Sequence, residues 1–362
     1  MTRINMYYTA RHVARIAEGA WRRTLSVSKI WFGSQNSAPC SGRFRAKGYF
    51  APPRRSWHMA LALLENGQLL ISSVVFATDL SLVSRNAGLY AMAIAEHLEA
   101  ELTITHSFIP SQSAEEVEVL KQHHSGDRIE RIARLKTTFA AFAFRDLRVR
   151  TQLLAGDPSS TIATFAGSLP HSLLVLGTRG GSSLGRHLIG PVAERCLRRA
   201  VCPTLTVGPH VPPPDVAYPF HSMLYATDCS GMTPRAAPLA CAMAGSFHSE
   251  LKVISIIDEH AAPIAELLAD LDFRTRKEID GQLPGACDHF TESRAIAHAS
   301  NARREILRYA NSTHSDLLFL GVHRRRTIEI LARNSVTIQI IAEASCPVLT
   351  LTSDSISGTP TT

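Results

Sequence analysis

Gly177, Gly180 and Gly190 stand in the spacing G-x2-G-x9-G within "LLVLGTRGGSSLGRHLIGPVAERCLRRA", residues 173–200. An apolar run ends at Gly177, and a helical pattern begins at Pro191. Glycine lets the backbone reach positive φ and lets a ligand approach the amides with no Cβ in the way. A helix N-terminus adds unpaired N–H groups and the positive end of a dipole. Together they form a cradle for anionic phosphate oxygens, to which Arg179 adds a charge-assisted donor. The same glycines also suit a plain tight strand-to-helix connection, and spacing alone leaves both readings open. Asp79, in "VVFATDLS" (74–81), is the second candidate. A carboxylate just past an apolar run accepts hydrogen bonds from a ribose hydroxyl or a base amine, or it caps the helix that follows.

The elements that must position these residues are written twice. "VVFATDLS" (74–81) recurs as "MLYATDCS" (223–230), an offset of 149. The same offset pairs Ala87, Tyr90, Ala91, Ile94, Ala95 and Leu98 with Ala236, Leu239, Ala240, Met243, Ala244 and Phe247, each set at helical spacing. Farther on, an offset of 144 pairs "LLVLG" (173–177) with "LLFLG" (317–321) and "CPTLTV" (202–207) with "CPVLTL" (346–351). Each copy reads strand, helix, strand, long helix, strand, helix, strand, helix, strand. Short, continuously apolar strands suit a parallel sheet covered on both faces. Right-handed crossovers then give two tandem doubly wound, Rossmann-like α/β domains. The expected division is an N-terminal extension over 1–68, a first domain over 69–209, a proline-rich linker over 210–218, a second domain over 219–353 and a tail over 354–362. In open parallel sheets ligands bind beyond the carboxyl ends of the strands. Asp79 and the loop after Gly177 both fall on that edge.

The charge is unevenly spread. The whole chain carries +7, yet residues 1–58 hold eleven Lys/Arg against one Asp/Glu, leaving the remainder at −3. A mildly acidic body gives no ground for nucleic-acid binding. The seven cysteines show no metal-ligand spacing and read as reduced thiols in a cytoplasmic protein. No metal site is expected. No uninterrupted apolar run is long enough to cross a membrane. Residues 1–58 read as a disordered extension, or as sequence upstream of a start at Met59. The basic amphipathic stretch at 11–25 leaves contact with an anionic membrane or with nucleic acid as the alternative.

The residues quoted from 74–81 and 173–207, with "GDPSSTI" from Gly156, give each half a resemblance to the universal stress protein family. That resemblance covers about 275 residues in tandem. The family has an adenine-nucleotide-binding branch whose motif is G-x2-G-x9-G followed by Ser or Thr, and Pro191 departs from it. The resemblance implies that Ala77, Thr78 and Asp79 contact adenosine. It sets Leu176, Gly177, Arg179 and Gly180 against ribose and phosphates, with Gly190, Val192 and Ala193 completing the phosphate grip. It further implies ATP as ligand, with AMP as the alternative and magnesium only alongside ATP. Pairing through the last strand, within the chain or as a homodimer, is another implication, as is a stress-response role with an unknown protein partner. Pro191 suits the first helical position but removes one N–H and one hydroxyl from the cradle.

The second copy keeps Gly321 but has Arg324 and Asn334 where the first has Gly180 and Gly190, so nucleotide binding is expected in the first copy only. His323 to Arg326 read as a solvated basic turn. No catalytic signature is present: GxSxG and GxxxxGK[ST] are both absent. Catalysis is not expected, and any ATP hydrolysis should be slow. His106 is read as lining the crevice or lying on the surface, and His123-His124 as solvated. Cys202 and Cys346 read as small buried residues entering the last strand. Two rival readings remain: a non-nucleotide interaction module of the same fold, and an adenylyl-transfer enzyme.

Overall fold

The computed structural model describes residues 64–65, 68–81, 84–109, 147–178, 189–229, 236–258, 265–285, 287, 291–322 and 335–352. A short antiparallel pair, β1 (Leu64–Glu65) and β2 (Gln68–Leu69), precedes the first half. That half contains β3 (Ser73–Ala77), α1 (Ser84–His97), β4 (Glu101–Phe108), β5 (Val149–Ala155), α2 (Pro158–Ser168), β6 (Ser172–Gly177), α3 (Pro191–Arg199) and β7 (Thr204–Val207). The second half repeats the order as β8 (Ser222–Thr227), α4 (Ala236–Phe247), β9 (Glu250–Ile257), α5 (Ala265–Gln282), β10 (Thr291–His298), α6 (Ala302–Ser312), β11 (Leu317–Val322), α7 (Val336–Glu343) and β12 (Val348–Thr352).

Among the described residues, the ten strands after the β1–β2 pair lie in one sheet, in the order β10-β9-β8-β11-β12-β7-β6-β3-β4-β5. Within each half every pairing is parallel. The halves meet at one antiparallel seam, where β7 pairs with β12. Of the two expected ways of pairing last strands, the chain uses the internal one. Side chains reinforce the seam reciprocally: the Thr206 hydroxyl donates to the Val348 carbonyl at 3.0 Å and the Thr350 hydroxyl to the Thr204 carbonyl at 3.2 Å. Because the seam is antiparallel, the carboxyl ends of the first half's strands share an edge with the amino ends of the second half's.

The helices follow the apolar stripes. Ala87, Tyr90, Ala91, Ile94 and Ala95 of α1 are buried, as are Ala236, Leu239, Ala240, Met243 and Ala244 of α4. Both helices end in the same six-to-one closure, Ala100 N–H to Ala95 O and Ser249 N–H to Ala244 O, each 2.8 Å. The residue making the left-handed exit is Glu99 in one copy (φ 51°) and His248 in the other (φ 52°). One apolar cluster covers a whole face of the sheet and draws on α1, α4 and α5, so the halves share a core. Within it Tyr90 stacks on Phe220, and His97 stacks on Phe247 with ring centroids 4.3 Å apart. On the opposite face α2 packs with α3 in the first half, while Ile189, Ala193 and Leu197 join α6 and α7 of the second.

The expectation that all thiols are reduced is corrected. Cys241 on α4 and Cys287, five residues past α5, form a disulfide with a Cα–Cα distance of 5.4 Å. Packing of α5 against α4 brings together two residues 46 apart in sequence. Cys196, Cys202, Cys229 and Cys346 are free. Cys202 and Cys346 are buried as expected, and burial pushes their thiols up to about 11 and about 12. Among the described residues no helix is long and apolar enough to cross a membrane.

Candidate nucleotide site

The end of β3 is built by short polar side chains folding back on their own backbone. The Thr78 amide donates to the Thr105 carbonyl of β4 at 2.9 Å, extending the ladder one residue past the strand. Thr78 Oγ1 accepts from the Leu80 amide at 2.9 Å and lies 2.7 Å from Ser84 Oγ, at the first residue of α1. This turn drives Leu80 to φ 65°, a left-handed conformation rare for a leucine. Asp79 Oδ1 accepts from both the amide (3.0 Å) and the hydroxyl (2.6 Å) of Ser81. Ser81 in turn meets Ser84. Asp79 therefore reaches the helix start through Ser81, and it remains exposed.

His106 is more than lining. It is 9% exposed, and its Nδ1 lies 2.9 Å from the Thr78 carbonyl. The signal in sequence was its place two-thirds along the second strand, beside the first; nothing there revealed which carbonyl it would meet. Ser81 and Ser84 carry the turn as well. Their three-residue spacing before an apolar helical run is the pattern that could have marked them.

The second wall comes from β6. Ala77 and Leu176 are cross-strand partners, so the ends of β3 and β6 lie side by side at the point where strand order reverses. Ala77 and Leu176 are buried and Gly177 is half-buried. Thr178 donates its amide to the Val207 carbonyl at 3.1 Å and accepts the Gly190 amide at 2.6 Å. That second bond ties the start of α3 to the end of β6. Gly190 is buried, with φ −59° and ψ 147°, an ordinary extended conformation that demands no glycine. Its amide is already paired within the protein. The amides next in line belong to Val192 and Ala193, in the first turn of α3, where no helical carbonyl lies behind them. Val192 is 37% exposed and Ala193 is buried.

Eight of the ten candidate residues, Ala77, Thr78, Asp79, Leu176, Gly177, Gly190, Val192 and Ala193, are thus gathered at one sheet edge. Arg179 and Gly180 lie outside the described residues, as do His123, His124 and the His323–Arg326 turn. Among the described residues no cluster of His, Cys, Asp or Glu could hold a metal ion. A separate cavity of about 260 Å³ lies near the seam, lined by Tyr90, Pro212, His314, Asp316 and Cys346 among others; none of the candidate residues lines it.

Flanking the edge, Gly156 (φ 131°) turns the chain from β5 into α2, and an added Cβ there would lie 2.9 Å from Thr161 Cγ2. Asp157 caps α2, accepting the Ser160 amide at 3.0 Å. Hydrogen bonds from Ser159 and Ser160, helped by Arg199, hold its carboxyl down at about 2. Asn301 occupies the matching position and caps α6 the same way.

The second half repeats the first turn. The Cys229 amide donates to Thr227 Oγ1 at 3.0 Å, and Cys229 takes φ 55°. Here α5 closes over the strand ends. Thr227 Oγ1 meets Gln282 Oε1 at 3.4 Å, and Cys229 Sγ lies 3.6 Å from Ser255 Oγ and 3.9 Å from the Thr275 carbonyl. Two residues of α5, Thr275 and Gln282, thus touch the end of β8.

A family model described as the universal stress protein family matches residues 71–208 and again 219–351. A universal stress protein of Methanocaldococcus jannaschii is 28% identical over 160 residues, spanning 42% of this chain and 90% of its own. One from Mycobacterium tuberculosis is 24% identical over 303 residues, spanning 76% of this chain and 95% of its own. A crystal structure of a universal stress protein from Archaeoglobus fulgidus superposes with a TM-score of 0.58 at 17% identity, covering 79% of this chain and all of the other. The fold is shared across both halves.

Proposed function

The chain belongs to the universal stress protein family through both of its halves, and from that membership we propose that its first half binds an adenine nucleotide while its second half serves as a paired scaffold. ATP is the first ligand in this reading, AMP the second, and magnesium accompanies ATP alone. Ala77, Thr78 and Asp79 meet the adenosine end. Leu176, Gly177, Arg179 and Gly180 meet ribose and phosphates. Val192 and Ala193 supply amides to the terminal phosphates, and Gly190 anchors the helix that presents them.

The observation that carries the reading is the 2.6 Å bond from the Gly190 amide to the Thr178 carbonyl. It fixes the first turn of α3 beside the β3–β6 switch point, so that a helix N-terminus opens where a ligand would lie. The contrast between copies supports the same assignment, since the second half has Arg324 and Asn334 where the first has Gly180 and Gly190. Nucleotide occupancy would order the loop between Gly177 and Gly190 and so change a surface available to a protein partner, which is how a stress-linked regulator would act without turnover.

Thermal denaturation of the full chain with ATP, AMP and cyclic AMP tests the reading. A ligand at about 100 times its dissociation constant adds about 2.7 kcal/mol, a rise of several degrees in Tm. An unchanged Tm with all three at millimolar concentration favours the interaction-module reading instead.

A further inference from the structure

We propose that the second half carries a redox modification site, the Cys241–Cys287 pair, whose disulfide latches α5 over the strand-end crevice of β8 and whose reduction releases that helix. The bond joins the middle of α4 to the connection that follows α5, and α5 itself lies inside the 46-residue loop so closed. Both sulfurs belong to buried residues, Cys241 at 7% and Cys287 at 1% exposure. Reduction therefore proceeds through opening of the connection rather than by direct attack on an exposed bond.

Among the described residues the contacts of α5 with the crevice are few apart from this bond. Its inner side buries Ile279, with Leu283 just beyond its end, while Phe273 is 68% exposed. Its polar contacts with the crevice are long: 3.4 Å from Gln282 to Thr227, and 3.9 Å from the Thr275 carbonyl to the Cys229 sulfur. Ion pairs run sideways from α5 to the edge strand β10, from Asp280 to Arg294 at 2.9 Å and from Asp272 to His298 at 2.8 Å. The disulfide cross-links the connection after α5 to α4. The first half has Met92 where the second has Cys241, so this latch has no counterpart at that position.

The chemistry is a two-electron exchange. A dithiol reductant gives two electrons and two protons; the Cys241–Cys287 sulfur–sulfur bond breaks, each sulfur becomes a thiol, and the reductant closes to its own disulfide. Release of α5 further exposes Cys229, which is half-buried in the latched form with its thiol 3.9 Å from the Thr275 carbonyl.

The full chain, purified without reductant, tests this directly. Peptide mass spectrometry after denaturing alkylation should find Cys241 linked to Cys287. After millimolar dithiothreitol, hydrogen exchange over 265–282 and native N-ethylmaleimide labelling of Cys229 should each rise about tenfold, while peptides from 73–109 and 172–207 keep their protection. Cys241→Ser should sit in the released state and ignore the reductant. The proposal fails if the linkage is absent, or if reduction leaves α5 and Cys229 as protected as before. It also fails if protection is lost throughout the chain, since the bond would then be a general staple rather than a latch. Should Cys241→Ser fail to fold, the reduced and oxidised wild-type forms decide alone.

Discussion

The imidazole Nδ1 of His106 lies 2.9 Å from the carbonyl oxygen of Thr78, across the strand pair that frames the candidate site. A carbonyl only accepts, so the bond requires the proton on Nδ1. His106 is thereby a positioning residue, fixing the peptide between Thr78 and Asp79. Ser255 holds the matching place in the second half and receives a thiol contact from Cys229 instead. Replacing His106 by Ser, as in that copy, should weaken ATP binding about tenfold, the loss of roughly one hydrogen bond's worth of order. Titration calorimetry on the variant checks this. Unchanged affinity would make the ring a packing element only.

Asp157 caps α2 and is held at about 2, chiefly by Ser159 and Ser160. A folded-state carboxyl held below its ordinary 3.8 contributes stability above that value and loses it as pH falls toward 2. Asp157→Ala should cost about 1 kcal/mol near neutrality. Asp157→Asn keeps an acceptor without a titrating group, so its stability should fall less steeply than wild type between pH 4 and pH 2. Urea denaturation across that range reads the difference. Parallel curves for the Asn variant and wild type would remove the cap's role in acid sensitivity.

The seam predicts cooperativity. Thr206 and Thr350 occupy matching positions and each donates across it, and a single apolar cluster runs beneath both halves. Thr206→Val and Thr350→Val should each cost about 1 kcal/mol. Calorimetry should show one unfolding transition for both halves, which the substitutions move without splitting. Two resolved transitions in the wild-type protein would mean that the halves fold independently.

The duplication and the alternation of strands and helices were legible because apolar runs and helical stripes are local patterns. The ligand edge followed from chain direction alone, since Asp79 and Gly177 each close a strand. What was not legible depended on three-dimensional neighbours. Gly190 read as a site of close approach; the structure adds that its amide meets Thr178. Its importance lies in a bond across 12 residues that no spacing announces. Cys241 and Cys287 read as dispersed thiols because their proximity is created by α5 folding back on α4. Leu80 and Cys229 gave no sign of left-handed backbone, which glycine or asparagine would have marked; the Thr78 and Thr227 hydroxyls impose it instead. The second half's degeneracy was legible only as missing glycines, while the structure adds the contacts of Thr275 and Gln282 of α5 with the end of β8.

The most direct measurement is the stoichiometry of ATP binding to the full chain by titration calorimetry, for wild type and for Gly180→Arg, which copies the residue at the second half's matching position. The account predicts one site per chain in the wild type and none in the variant, with both proteins equally folded by circular dichroism. Two sites, no site, or a single site that survives Gly180→Arg would contradict it.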